Sequence, residues 1–182
     1  MKTTILLIAS TMVFAASCPS ASAADTTAPA LEDNANRNAI NAMQGQPAPA
    51  LAVGGWINSN PLTLADLKGK IVVIDFWATW CGPCLASIPH NNALQKKYVG
   101  QVVFIGVCAP RGGEKLAATV SQRGIEYAVA LDNGKKGDTF AAYQADSYPD
   151  YYIIDRKGNL HWGDIVNGDV EKAIRLLLAQ KD

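Results

Sequence analysis

The chain has 182 residues, of which 49% are apolar, with 16 basic and 16 acidic side chains. That length suits one domain with an extension, and the apolar fraction is enough to build a core. A formal net charge of zero excludes the electrostatic footprint of a nucleic-acid binder and gives no reason to expect an acidic substrate.

Residues 1–23 read as a secretory signal peptide. Lys2 gives a positive start, residues 5–16 an apolar run, and Ala21-Ser22-Ala23 the small residues of a cleavage site. The run is short for a membrane-spanning helix, which needs roughly 20 apolar residues. Two other readings stay open. One is an uncleaved N-terminal membrane anchor. The other is a lipoprotein signal ending before Cys18, because Ala15-Ala16-Ser17-Cys18 is similar to a bacterial lipobox, with Ala15 where that motif usually has Leu. Each reading puts the domain outside the cytoplasm, as in a periplasm.

Residues 24–46 are rich in Ala, Asn, Asp and Thr and read as a flexible linker, with a weak helix around 31–43. Pro47 and Pro49 mark a boundary, since prolines so close resist helix and sheet. Residues 47–182 then form one domain. The apolar stretch 62–64 reads as a short strand, an N-terminal β extension. Residues 71–76 are a β-branched run typical of a buried strand. A helix spans 86–98 and closes at Gly100. A second buried strand covers 102–107, and a helix over 114–122 ends at Gly124. A third strand covers 127–131. Asp138 caps a short helix through Tyr143. Strands at 151–154 and 160–162 flank the hairpin signal Asp155-Arg156-Lys157-Gly158-Asn159. Asp169 caps a last helix, with Val170, Ala173, Ile174, Leu177 and Leu178 on one face. This order implies an α/β fold with a mixed central sheet and helices on both faces, the layout of thioredoxin.

Removal of the signal at Ala23 leaves Cys81, Cys84 and Cys108. Three thiols cannot all pair internally, and a close-set pair plus an odd one suits redox chemistry better than stapling. The pair lies in Ile71-Val-Val-Ile-Asp-Phe-Trp-Ala-Thr-Trp-Cys-Gly-Pro-Cys84. A buried strand runs out, turns at Trp80, and a helix begins, which places Cys81 at a helix N-terminus. Free N–H groups and the dipole there favour an anion, and a thiolate is one. A thiol that titrates near about 8.5 when free falls to roughly 3.5–7.5 in such sites. Cys81 is expected to attack. Cys84, one turn into the helix and more buried, is expected to close the ring and resolve a mixed disulfide. Pro83 suits the first turn. Gly82 leaves room for a substrate chain, and Trp77 and Trp80 restrict water.

Asp75 has two readings. It is a strand-end carboxylate bonded to solvent or backbone, or it is a buried carboxyl with a raised pKa that takes the proton of Cys84 through a water. Pro149 also has two. It is an ordinary trans proline opening a strand, or the Tyr148–Pro149 bond is cis beside the disulfide, exposing the Tyr148 backbone for β-type pairing with a substrate.

The segment Phe76-Trp-Ala-Thr-Trp-Cys-Gly-Pro-Cys84 with Ile88-Pro89 resembles the TlpA/ResA-like branch of the thioredoxin superfamily. So do the approach Pro61-Leu-Thr-Leu-Ala-Asp-Leu-Lys-Gly-Lys70 and the segment Tyr148-Pro149 with Tyr152-Ile-Ile-Asp-Arg-Lys-Gly158. The resemblance spans 47–181. It implies an exported, often membrane-tethered protein that reduces disulfides of apocytochrome c or other envelope proteins. Two positions depart from the branch. Ser87 stands where many members carry Glu, a residue that tunes the active site in cytochrome-maturation members, so cytochrome maturation is the less supported of these roles. Asp75 stands where many have Asn and matches general thioredoxins, which suggests a broader-range reductase.

Rival readings have less support in the residues. Zinc held by Cys81, Cys84 and some of Cys108, His90 and His161 lacks ligand spacing. No metal or other cofactor is expected. The two histidines read as surface or structural. A peroxiredoxin resembles Pro-x-x-x-Thr/Ser-x-x-Cys with a distant Arg, a context that none of the three cysteines has. A non-enzymatic binding module would be expected to lack an intact pair. Cys108 reads as a small core residue or as a third redox thiol. Gly-Pro between the cysteines resembles thioredoxin, whose potential is about −270 mV. A reductase is therefore expected, with a disulfide-forming oxidase as the alternative. A reducing pair outside the cytoplasm needs a membrane electron donor of the DsbD/CcdA kind. No dimerisation segment is evident, so a monomer is expected.

Overall fold

The β-branched run centred on Ile74 becomes the middle of a six-stranded sheet. The computed structural model describes residues 27–180. The expected signal segment 1–23, with Cys18, lies outside the described residues. Strand β2 (Ile71–Trp77) is buried along its whole length, as a strand covered on both faces must be. It pairs in parallel with β3 (Val102–Cys108), which pairs in parallel with β4 (Ala128–Asp132). On the other side of β2, β5 (Asp150–Ile154) and then β6 (Leu160–Ile165) run antiparallel. Strand β1 (Val53–Ile57) closes the far edge against β4, also antiparallel. The order is β1-β4-β3-β2-β5-β6.

Alternation along β2 feeds two cores. Ile71, Val73 and Trp77 face α2 (Gly82–Lys97), α3 (Leu116–Arg123) and α5 (Val170–Ala179). Val72, Ile74 and Phe76 face α1 (Arg37–Met43) and the segment of α4 (Asp138–Ala142). There Phe76, Tyr143 and Tyr152 meet edge to face at 5.4–5.6 Å. A mixed sheet with helices on both faces is the thioredoxin fold that the element order implied.

Several local expectations need correction. Residues 62–64 are not a strand. Thr63 caps a 3₁₀ turn over Leu64–Leu67, its side chain and that of Asp66 reciprocally bonding each other's backbone N–H, a capping-box arrangement. The β extension is instead β1, whose Gly54 and Gly55 disguised it, since glycine is depleted in strands. The stretch expected as a flexible linker is docked from Ala30 onward. Leu31 bridges Ile165, Pro47 bridges Asn159, and Ile40 is fully buried. A few anchoring side chains do this, so the average composition concealed it. Helix α2 starts at Gly82 rather than 86, because Cys81 itself is the cap. Asp138 is the first residue of α4, not its cap. Asp132 accepts from the N–H groups of Thr139 and Phe140 in its place. Asp169 does precede α5, but its carboxylate accepts from the Ala30 N–H.

Candidate active site

Cys81 leaves the sheet in extended backbone (φ −85°, ψ 105°), and α2 begins at the next residue. The sulfur therefore lies over the unpaired N–H groups of the first turn. Its Sγ accepts from the Cys84 N–H at 3.2 Å. Pro83, in that turn, has no N–H to leave unpaired. Cys81 and Cys84 are joined as a disulfide. As residues, Cys81 and Cys84 are 5% and 3% exposed, almost equally covered. Gly82 and Pro83 are exposed. A Cβ placed on Gly82 would meet nothing within 4 Å, so the approach is open there.

The loop before β5 forms one wall. The Tyr148–Pro149 peptide is cis, and the Tyr148 carbonyl oxygen lies 3.5 Å from Cys81 Sγ. Trp80, 51% exposed, meets the Tyr148 ring edge-on at 5.8 Å. Phe140 backs that ring at 4.9 Å. A second loop fixes Trp80. Its indole N–H donates to the Arg111 carbonyl at 2.9 Å, and the Arg111 guanidinium lies 5.3 Å from its ring centre. The Thr79 hydroxyl donates to the Gly112 carbonyl at 3.0 Å. Gly112 has φ +83°, and a Cβ there would sit 2.6 Å from Thr79 Oγ1. Glycine is what lets this loop close on the tryptophan.

Below the helix start, Asp75 takes the inward position on β2 between Val73 and Trp77 and is 3% exposed. Oδ2 of Asp75 accepts from Asn91 Nδ2 at 3.0 Å and from the Tyr127 hydroxyl at 3.3 Å. Asn91 Nδ2 also donates to the Tyr151 hydroxyl at 3.0 Å. Burial pushes the Asp75 carboxyl up to about 7, against the two hydrogen bonds, which pull it down. Gly106 makes the room: a Cβ there would lie 3.0 Å from both Trp77 Nε1 and Tyr127 Cε2.

The structure thus brings together Cys81, Cys84, Trp80, Gly82, Pro83, Tyr148 and Pro149, with Asp75 in the core on the face that α2 covers. Residue-pattern reasoning did not single out Asn91, Tyr127 or Tyr151. Asn91 carried a signal, standing seven residues after Cys84 and so on the same side of the helix. Tyr151 lies directly across from Asp75 in the β2–β5 pairing.

The remaining candidates lie apart. Cys108 is fully buried, and burial pushes its thiol up to about 12, the surroundings of a core sulfur rather than of a reactive thiolate. His161 stacks edge-on against Trp162 at 4.3 Å, and His90 is exposed on α2. Ser87, where a glutamate was the usual residue, donates to the Pro83 carbonyl at 3.1 Å and accepts from the Asn167 amide at 3.0 Å. Among the described residues, the metal-ligating atoms that cluster are carboxylates of Asp146, Asp150 and Asp164, within 4.8 Å of one another. Arg37 already brings positive charge to them, at 2.8 Å from Asp164 Oδ2. No described helix is long and apolar enough to cross a membrane.

Comparison with known proteins agrees with this geometry. The AhpC/TSA family matches residues 44–162. The chain is similar to the thioredoxin-like protein YneN of Bacillus subtilis, 30% identical over 147 residues that cover 78% of this chain and 84% of that one. It is also similar to the thiol-disulfide oxidoreductase ResA of Bacillus anthracis, 33% identical over 117 residues, 64% of this chain and 66% of that one. Among solved structures it resembles a thiol:disulfide interchange protein of the thioredoxin family from Chlorobium tepidum, at TM-score 0.62 and 26% identity, covering 73% of this chain and 96% of that one. The chain belongs to the AhpC/TSA family, in its thioredoxin-like TlpA/ResA branch.

Proposed function

We propose that this thiol–disulfide oxidoreductase reduces disulfides of envelope proteins outside the cytoplasm, using the Cys81–Cys84 pair. The observation that carries the reading is the pair itself. It sits at a helix start, with open space at Gly82 and the Tyr148 carbonyl 3.5 Å from Cys81 Sγ. The Tyr148 backbone offers a substrate strand a hydrogen-bonding edge, and exposed Trp80 offers it an apolar platform.

In the reaction, the Cys81 thiolate attacks one sulfur of a substrate disulfide. The substrate S–S bond breaks, a Cys81–substrate bond forms, and the released sulfur takes up a proton. Cys84 then gives its proton, through a water, to the Asp75 carboxylate and attacks Cys81 Sγ. The Cys81–Cys84 bond forms, and the second substrate sulfur leaves as a thiolate. Two electrons pass to the substrate, and the bridged pair is the product state. A carboxyl poised at about 7 suits a group that must accept and return a proton near neutrality. A membrane dithiol donor of the DsbD/CcdA kind returns the two electrons. The N-terminal segment, as a cleaved signal or a lipid or membrane anchor, delivers the domain to that donor as a monomer.

Reduction is favoured over peroxide chemistry by the residues around Cys81. Ala78 and Ile74 stand where a peroxidatic site would have Thr or Ser and Pro. The test is insulin reduction alongside peroxide consumption, with the potential of the pair measured against glutathione. Insulin turnover with a potential near about −270 mV is expected; a value near about −120 mV would make the protein an oxidase. Peroxide consumption without insulin turnover would replace the reading altogether.

A further inference from the structure

The resolving cysteine and the carboxyl assigned to it lie on different elements, α2 and β2, and one side chain ties these elements together. Asn91 projects from α2 two turns beyond Cys84 and is 1% exposed. Its amide nitrogen spends one hydrogen on Asp75 Oδ2 and the other on the Tyr151 hydroxyl, each at 3.0 Å. The second bond fixes the first. With Tyr151 held in β5, the amide cannot turn away without leaving a buried hydroxyl short of a donor.

The rest of the surroundings give Asp75 little help. Oδ1 of Asp75 is buried without a hydrogen-bond partner. The titratable groups around the carboxyl are Tyr127 ahead of β4, Tyr151 on β5 and Cys108 on β3, joined once the disulfide is reduced by Cys84 on α2 and Cys81 at its cap. None of its described partners is a cation, so only neutral donors stabilise its charge. Of these, Asn91 is the one on the helix that carries Cys84.

We infer that Asn91 is a positioning residue: its amide, carried on the same helix as the resolving cysteine, orients the Asp75 carboxyl and favours its charged form. The inference rests on the role proposed for Asp75 as proton acceptor. When Cys84 releases its proton, the acceptor must be ionised and must face the helix. A donor rigidly linked to Cys84 meets both needs. The same donor opposes the burial that otherwise keeps Asp75 protonated.

The experiment compares the unaltered protein with Asn91→Leu and Asp75→Asn. Two quantities are followed against pH: the carboxyl ¹³C signal of Asp75, and the rate at which Cys84 displaces an aromatic thiol from a mixed disulfide preformed on Cys81. In the unaltered protein both should turn near pH 7. In Asn91→Leu both midpoints should move up by as much as about one pH unit, the order expected of one hydrogen bond to a charged group. Displacement at pH 6 should slow several-fold. If the midpoints do not move while Asp75→Asn still abolishes the profile, the role of Asn91 is overturned and that of Asp75 stands. If the profile survives in Asp75→Asn, the Asp75 reading itself fails. Should Asn91→Leu not fold, Tyr151→Phe takes its place. It keeps the volume but frees the amide, so a smaller upward shift is expected and an unmoved midpoint again counts against the inference.

Discussion

Two sets of carboxyls are buried in the sheet, one on β2 and the other on β5 and β6, and the fold gives only the second a counter-ion. Asp75 faces the α2 side, alone, with neutral donors only. Asp150 and Asp164 lie together, 2% and 1% exposed, and are flanked by a cation. Arg37 donates to Asp164 Oδ2 and to the carbonyls of Glu32, Gly163 and Asp164. Asn34 adds its amide to Asp164 Oδ2. Burial, and then the Asp164 carboxylate beside it, holds the Asp150 carboxyl well above the ordinary range. An isolated buried acid without a counter-ion destabilises the fold once it ionises, a cost that the proton-accepting role proposed for Asp75 would explain. A buried pair wrapped by the N-terminal segment has a structural use: it fastens residues 30–46 to β6.

The largest effect that tests this contrast is Asp75→Asn. In the folded protein the carboxyl keeps its proton up to about pH 7, whereas unfolded it ionises at 3.8. Folding therefore takes up a proton between those values. Stability from this group is complete below the unfolded value and is lost as pH rises through the folded one. Above pH 7 the full difference amounts to about 4 kcal/mol, as an order of magnitude. Asn has no proton to lose. Urea unfolding should find the variant more stable by up to that amount at pH 8 and little changed at pH 4, while its resolving step is slowed. A stability gain of equal size at both pH values would mean that ionisation is not what Asp75 contributes.

How much of this contrast was legible beforehand differs between the two sites. The disulfide site lies within one stretch of chain, so strand, turn, cysteines and helix all declare themselves by type and spacing. Asp75 stood out as the one charge in an apolar strand. The donors around it did not, because Asn91, Tyr127 and Tyr151 converge only through tertiary packing, and any one of them is ordinary where it stands. The second site was hidden altogether. Its parts come from 34–37, 146–150 and 164, and two of them, Asn34 and Arg37, fall in a stretch whose polar composition resembles a linker. Likewise Gly54 and Gly55 masked β1, whose pairing is imposed by β4 rather than by local preference.

The next effect in size is Arg37→Met. The guanidinium is largely covered, and its side chain makes four hydrogen bonds to Glu32, Gly163 and Asp164. Removing one partner of a buried ion pair costs roughly 3–5 kcal/mol, chiefly because the other charge stays buried. Since Glu32, Asn34 and Ile40 hold the same segment, the loss should fall at the lower end. Hydrogen exchange should quicken at Ile40 and along residues 30–46, while insulin reduction per folded molecule stays unchanged. Loss of redox activity in a still-folded protein would mean that the two carboxyl sites are coupled, and the division of labour drawn above would fail.

The smallest effects come from removing one phenol at each site, and they separate the sites by kind rather than size. The Tyr127 and Tyr152 hydroxyls each donate to a buried carboxylate oxygen at 3.3 Å, the first to Asp75 and the second to Asp150. Replacing either by Phe removes one hydrogen bond, worth about 1 kcal/mol. In Tyr127→Phe the lost donor is one that pulled the Asp75 carboxyl down. Its midpoint should rise, and the pH range over which stability is lost should extend upward. In Tyr152→Phe the turning point of the resolving step should stay where it is, because Tyr152 faces the opposite core. The two variants are near-isosteric and differ mainly in which carboxyl loses its partner. Identical pH profiles for the two would show that the sheet does not insulate one acid from the other.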